Sequence, residues 1–350
     1  MSLFYSSDGY LGIDIGTFGV KIVELKKERS QAKLFSYGFS ENKEIESKDS
    51  KMKNDTSYIA YIINKVWQKA GMVSRDAVAS LPTFSVFSSI INLSNISKRD
   101  MKSAVYWEAK KVIPLPLEEM ILDWREIEED GEKSSGNTKI FLTGAPRVLV
   151  KKYIEIFQKA RINLLSLETE TFSLVRSLLG GDKSTMMIVE IGASTTDIAI
   201  VEKSIPVLSR SIDIGGLAIT KSISNNLNIG AGRAEQFKYD FGISSLVSGS
   251  ESSVIPQTIA DSISPIINEI KYTLNLYQSK NDKQIEKIVF SGGSSMLIDF
   301  TSYLSKIIDK KVIIGDPWSR ISYPLDLKPT LNEIGPRMSV AIGLALREME

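Results

Sequence analysis

Two short stretches hold the side chains best placed to do chemistry. Asp14 and Glu190 each stand two residues before a glycine, Gly16 and Gly192, that opens a turn. The first turn is Gly16-Thr17-Phe18-Gly19 and the second is Gly192-Ala193-Ser194-Thr195. Glycine- and hydroxyl-rich turns aim several backbone N–H groups at one point, which suits phosphate oxygens. Thr17, Ser194 and Thr195 add hydroxyl donors, and Lys21 adds a cation on the far side of the first turn. Facing each other across a cleft, Asp14 and Glu190 could hold a hydrated Mg²⁺ that bridges two phosphates. One such turn alone reads as a surface hairpin. Two copies in the same acid-x-Gly register read as a phosphate clamp.

Composition narrows the chemistry further. The 350 residues include no histidine and no cysteine. Thiolate nucleophiles, disulfides, Cys/His zinc sites and Ser-His-Asp relays are therefore excluded. Lys and Arg number 43 against 42 Asp and Glu, a net charge of +1 that argues against a nucleic-acid binder with a basic face. The start of the chain lacks the basic-then-apolar pattern of a secretory signal. No apolar run approaches the roughly 18–20 residues that span a bilayer, so a cytoplasmic protein is expected.

The elements that must position the turns form an internal repeat. Residues 11–24 match 187–200, with Asp14 on Glu190, Gly16 on Gly192 and Ile22 on Ile198. Each copy reads as strand, tight turn, strand, and runs on into a third strand-like stretch at 33–39 or 205–214. Helical patterns follow at 57–70, ended by Gly71, and at 262–279. Strands followed by crossover helices predict a mixed α/β sheet in each half, a duplicated domain rather than a solenoid. The first half carries an insertion over 84–167 with a ferredoxin-like order: strand, helix, strand, strand, helix, strand. Its helices are expected at 97–113 and 147–161, and its strands 121–128 and 139–143 flank a turn at 129–137. Charged residues 43–54 read as a solvated loop, and 235–253 as a helix followed by a loop.

Three more segments complete the set. Gly292-Gly293-Ser294-Ser295-Met296 follows an apolar strand, and such a turn lets a flat base approach the backbone. Gly215-Gly216 follow the third strand of the second half, and Glu235 and Lys238 lie three apart on one helix face. Singly these are a common strand-to-helix turn, a helix start and a solvent ion pair. Together and in this order they resemble the actin/sugar-kinase/heat-shock-chaperone ATPase superfamily over nearly the whole chain. That resemblance implies two ribonuclease-H-like domains around a cleft for ATP and Mg²⁺. It makes Asp14 and Glu190 the metal-side acids, holding the ion through water. Gly16, Thr17, Phe18, Gly19 and Lys21 then form the first phosphate loop, and Gly192 to Thr195 the second. Gly215, Gly216, Glu235, Lys238, Gly292, Gly293, Ser294 and Met296 hold ribose and base. The boundaries it implies are 1–83 for the first core, 84–167 for the insertion, 168–182 for a crossover, 183–330 for the second core and 331–350 for a connector helix.

Within the insertion, Trp107-Glu-Ala-Lys-Lys-Val-Ile-Pro-Leu-Pro-Leu-Glu-Glu119 is similar to a stretch of the PilM family of type IV pilus assembly proteins, an FtsA-like branch. Residues 332–347 are similar to that family as well. FtsA continues into a membrane helix, and this chain ends at Glu350, so no direct membrane anchor is expected. The resemblance implies a scaffold that binds the N-terminal cytoplasmic peptide of PilN. It would contact the PilO/PilN inner-membrane complex indirectly, and pilus motor ATPases and self-association follow as further contacts. Trp107, Val112, Ile113 and Leu115 are the expected lining of a peptide groove between the insertion and the first core, or else simply fill the insertion. Glu190 stands where the family carries aspartate, and a misplaced carboxylate costs rate. Glu168 and Glu170 lie where the family positions attacking water, with no apolar pocket in view to raise either pKa. Slow ATP turnover at most is expected. An actin-like filament protein is the alternative, and a small-molecule kinase, for which no second-substrate motif is found, a lesser one.

Overall fold

The computed structural model describes residues 9–29, 31–41, 55–94, 96–127, 137–244, 254–279 and 283–349. The loop expected at 43–54, the turn expected over 129–137 save Asn137, and most of the loop after the 235–241 helix lie outside them.

The first half opens with β1 (Gly9–Gly16), β2 (Gly19–Glu28) and β3 (Gln31–Phe39), an antiparallel meander. Helix α1 (Thr56–Lys69) follows, started by Asp55, whose side chain accepts from the Ser57 N–H at 2.8 Å. Its Ala60, Ile63 and Val66 are buried against the sheet. β4 (Asp76–Leu81) then pairs parallel with β1. The insertion supplies β5 (Phe87–Ser94), α2 (Met101–Val112), β6 (Met120–Ile127) and β7 (Asn137–Pro146), which form a separate sheet of order β5-β7-β6.

Helix α3 (Arg147–Ala160) and β8 (Asn163–Thr169) depart from expectation. They were expected to complete a ferredoxin-like insertion, but β8 pairs parallel with β4 in the main sheet, Asp76 opposite Asn163. The cause is burial: Tyr153, Ile156, Phe157 and Ala160 of α3 join Ile63 and Val66 of α1 in one core. Helix α3 is thus the crossover of a β4-to-β8 unit, and among the described residues the insertion keeps a three-stranded sheet and helix α2.

Helix α4 (Glu170–Leu178) leads to the second half. There β9 (Met186–Ile191), β10 (Thr196–Glu202) and β11 (Ile205–Ile212) repeat the meander, followed by α5 (Gly216–Leu227), α6 (Ala231–Phe241) and α7 (Val254–Gln278). Helix α7 begins eight residues before the sequence pattern suggested. Pro265 interrupts its bonding, but buried Ile259, Ile263, Ile266 and Ile270 keep it continuous. β12 (Lys287–Ser291), α8 (Phe300–Ile308) and β13 (Lys311–Ile314) complete a sheet of order β11-β10-β9-β12-β13. The first sheet, β14-β3-β2-β1-β4-β8, has the same central order plus β14 (Ile321–Ser322), so the predicted duplication is present.

Helix α9 (Lys328–Leu346) returns between the two sheets beside α4. Leu174 and Val175 of α4 and Val340 and Leu344 of α9 pack on Met186, Ile188 and Val289 of one sheet and Val78 of the other. A Cβ on Gly343 would sit 1.9 Å from the Ser173 carbonyl oxygen, so only glycine permits this approach.

Candidate functional site

The two hairpin turns meet at the mouth of an open cleft between the sheets, whose free space together with the solvent at its mouth is about 1170 Å³. The Thr17 and Ser194 hydroxyls touch across it at 2.8 Å. Hairpin register puts Asp14 opposite Lys21, and their side chains pair at 2.6 Å. The same register in the second hairpin sets Glu190 opposite Asp197. A lysine in one copy is therefore an aspartate in the other, and Glu190 has no such partner. Glu170, first residue of α4, adds a third acid and accepts from the Thr83 N–H at 2.9 Å.

Four carboxylates thus share one ammonium, and three of them, Glu170, Asp197 and Glu190, titrate above their ordinary range. Burial, then Asp197 and Asp14, push Glu170 up to about 8. Burial lifts Asp197 to about 6, and burial together with the Glu170 carboxylate holds Glu190 well above its ordinary range. Burial works against the Lys21 ammonium, yet Asp14 beside it keeps its pKa above the usual lysine value. Asp197 Oδ1 is buried and has no hydrogen bond of good geometry, although the Ser211 and Thr195 hydroxyls near the carboxyl partly offset the effect of burial. An orphaned acceptor among surplus acids fits a cation delivered to the cleft. Among the described residues no three Asp, Glu, His or Cys side chains converge closely enough to ligate a metal directly. A cation here would be reached through water and phosphate oxygens.

The opposite end of the cleft is built from α5, α6 and the turn after β12. The Gly216 and Leu217 N–H groups donate to the Gly192 and Ala193 carbonyls, both at 2.9 Å, fixing α5 to the second turn. Lys238 is 2% exposed and donates to both Glu235 oxygens at 2.7 and 2.8 Å, to Thr220 Oγ1 at 3.1 Å and to the Gly216 carbonyl at 3.3 Å. Burial lowers its pKa, and Glu235 opposes that. Glu235 and Lys238 are therefore not a solvent pair; they lock α5 to α6. Gly292 takes φ +82°, and a Cβ there would lie 2.3 Å from the Ile191 carbonyl. Its turn brings Gly293 and buried Ser294 to the cleft wall.

All the expected nucleotide-side residues line this cleft except Gly215 and Met296. Gly215 caps α5 behind the Ala193 carbonyl, and Met296 ends the short turn one residue before buried Leu297. Glu168 is also elsewhere. The strand ends at Thr169, so its carboxylate diverges from Glu170 and is bound by Arg176 at 2.7 and 3.1 Å and Ser173 at 2.8 Å. The expectation that Glu170 lacks a desolvating pocket is corrected by its burial and raised pKa. Asp197 was missed, although the 176-residue offset that aligns Asp14 with Glu190 also aligns Lys21 with it. Arg337 was missed too. It pairs with Glu41 at 2.7 Å and lies 5.3 Å over Phe39 at the cleft edge, a contact no local spacing signals.

The sequence model of the family described as type IV pilus assembly protein PilM matches residues 12–349. The chain belongs to the PilM family. Among solved structures, a PilM-PilN type IV pilus biogenesis complex superposes with TM-score 0.82 at 22% identity, covering 97% of this chain and 98% of that one. MreB5 of Spiroplasma citri bound to AMPPNP gives TM-score 0.56 at 13% identity over 97% of this chain and 95% of that one. The ethanolamine utilization protein EutJ of Carboxydothermus hydrogenoformans gives 0.58 at 15% identity over 97% and 89%. These likenesses show an actin-like α/β fold. The cell division protein FtsA of Neisseria meningitidis is 30% identical over 175 residues, which is 45% of this chain and 41% of that relative. The chain spans about two fifths of that curated relative's length.

Of the residues expected in a PilM peptide groove, Ile113 is buried in the insertion's own core and Val112 packs against it. Trp107 and Leu115 are exposed. Helix α2 covers the sheet face bearing Ile140 and Leu142, while Phe141 on the other face meets Phe172 of α4 at 5.0 Å. Trp107 therefore lies on the side of the insertion away from α4. No helix among the described residues is long and apolar enough to cross a membrane.

Proposed function

We propose that this PilM-family chain is a cytoplasmic, ATP-binding scaffold of type IV pilus assembly that docks the N-terminal cytoplasmic peptide of a PilN partner. The observation that carries the nucleotide reading is the pair of Gly/Ser/Thr turns meeting at 2.8 Å over a cluster of acids with an orphaned carboxylate oxygen. The turn amides would cradle the phosphates, with Lys21 neutralising charge and Glu235, Lys238 and the Gly292–Gly293 turn enclosing ribose and base. Mg²⁺, when bound with ATP, would supply the positive charge that offsets Asp14, Glu190 and Asp197 through its water shell. At neutral pH Asp197, with a pKa of about 6, is mainly ionised and able to accept a proton from an attacking water, whereas Glu170, at about 8, is mainly protonated until a cation in the cleft lowers it.

Calorimetric titration with Mg·ATP tests the cleft. Binding by the parent chain and its loss in Asp14→Ala are expected, and retained affinity in the variant would refute the assignment. The partner reading is supported by the family and by the PilM-PilN complex that shares the fold. Titration with a PilN N-terminal peptide tests it, and absence of saturable binding with or without nucleotide would sink it.

A further inference from the structure

The outer face of α2 carries side chains that the cleft leaves unused. Met101, Val105 and Ala109 are buried against the insertion's sheet. At 100° per residue, Trp107 and Lys110 fall opposite that stripe, with Tyr106 and Lys102 on one flank and Lys111 on the other. Trp107 is 59% exposed and Tyr106 41%, their rings edge to face at 5.9 Å. The Lys110 ammonium lies 5.5 Å from the Trp107 ring centre, and Leu115, 51% exposed, follows the helix. Lys98 and Arg99 are exposed just before it. Against these five bases stand two acids: Asp100, held by Ser97 at 2.7 Å, and Glu108, paired with Lys111 at 2.7 Å. Glu118 and Glu119 come after Pro116, beyond the helix end.

We propose that this face is a peripheral contact site for an anionic lipid bilayer. Exposed Trp and Tyr rings settle at the headgroup level, where one end of the ring is dry and the other wet. Lysines around them keep their ammonium groups among lipid phosphates while their stems cover apolar surface. A convex helix face with the Trp107 ring at its apex, Tyr106 beside it and lysines on both flanks matches a broad anionic surface in shape and charge, and an acidic protein segment is the competing occupant that the test separates. The cleft and the pocket beside it are lined by other elements and do not include this helix face. The proposal goes beyond the peptide-docking function and is independent of nucleotide. A weak bilayer contact would add to a membrane-tethered partner by raising effective concentration.

Cosedimentation of the full chain with vesicles tests it. Binding is expected to mixed phosphatidylglycerol/phosphatidylcholine vesicles, weakening with salt, and not to phosphatidylcholine alone. The triple variant K102E/K110E/K111E and the single variant Trp107→Ala should each lower partitioning by about tenfold or more. A charge-matched control, K65E/K69E/K151E on α1 and α3, should bind like the parent. All the substituted side chains are exposed, and an unchanged thermal melt checks that each variant is folded. Equal partitioning to both lipids, parental binding by either α2 variant, or an equal loss in the control would overturn the proposal. Absence of vesicle binding would do so as well and would leave the face to an acidic protein partner.

Discussion

Lys21 and Asp197 occupy the same place in two copies of one hairpin, and the exchange of sign sets the electrostatics of the cleft. In the first copy the acid is paired; in the second two acids face each other with no base. Raised carboxylate pKa values mean that the folded chain holds more protons than the unfolded chain above about pH 4. Stability present at low pH is therefore lost as pH rises through about 6 for Asp197 and about 8 for Glu170. Thermal melts of the nucleotide-free chain should fall between pH 5 and 8. Asp197→Asn should flatten that fall, recovering up to about 3 kcal/mol at pH 8. An unchanged pH profile in the variant would refute the burial of this charge. Lys238 is the opposite case, a cation used fully by Glu235, Thr220 and a carbonyl. Lys238→Met should leave a folded protein whose ATP affinity drops about tenfold or more, read by calorimetry.

At the scale of elements, what the sequence made legible was what is local. The hairpins, their glycine turns and α1 follow from periods of 2 and 3.6 and from Asp55 at the cap. The ownership of α3 and β8 was not legible, because parallel pairing with β4 spans more than 80 residues and leaves no mark on local pattern. Nor could spacing show that Glu168 and Glu170 part company, since that depends on where a strand becomes a helix. The contact of α9 with α4 is equally non-local. Gly343→Ala should press a methyl on the Ser173 carbonyl and destabilise the chain by about 1–3 kcal/mol in denaturant unfolding. A neutral effect would show that the helices can slide apart.

For the whole molecule, two lobes of equal topology are held together by α4 and α9 behind the cleft and by a small polar contact in front. Thr17 to Ser194, the contact between the two turns, is exposed, so it is weak on its own. A ligand that bridges both turns should therefore dominate closure. Mg·ATP at 100 times its dissociation constant should stabilise the chain by about 2.7 kcal/mol, seen as a higher melting temperature. Asp14→Ala should remove the shift.

Glu170 and Phe172 share the first turn of α4. One reaches into the cleft beside Asp14 and Asp197; the other rests on Phe141 of the insertion at 5.0 Å. Ser173, the next residue, packs against Gly343 with no room for a side chain between them. The cleft and the insertion thus grip opposite sides of a single stiff pin. A rigid-body shift of that turn would displace the cleft acid and the insertion contact together, without any loop to relay it.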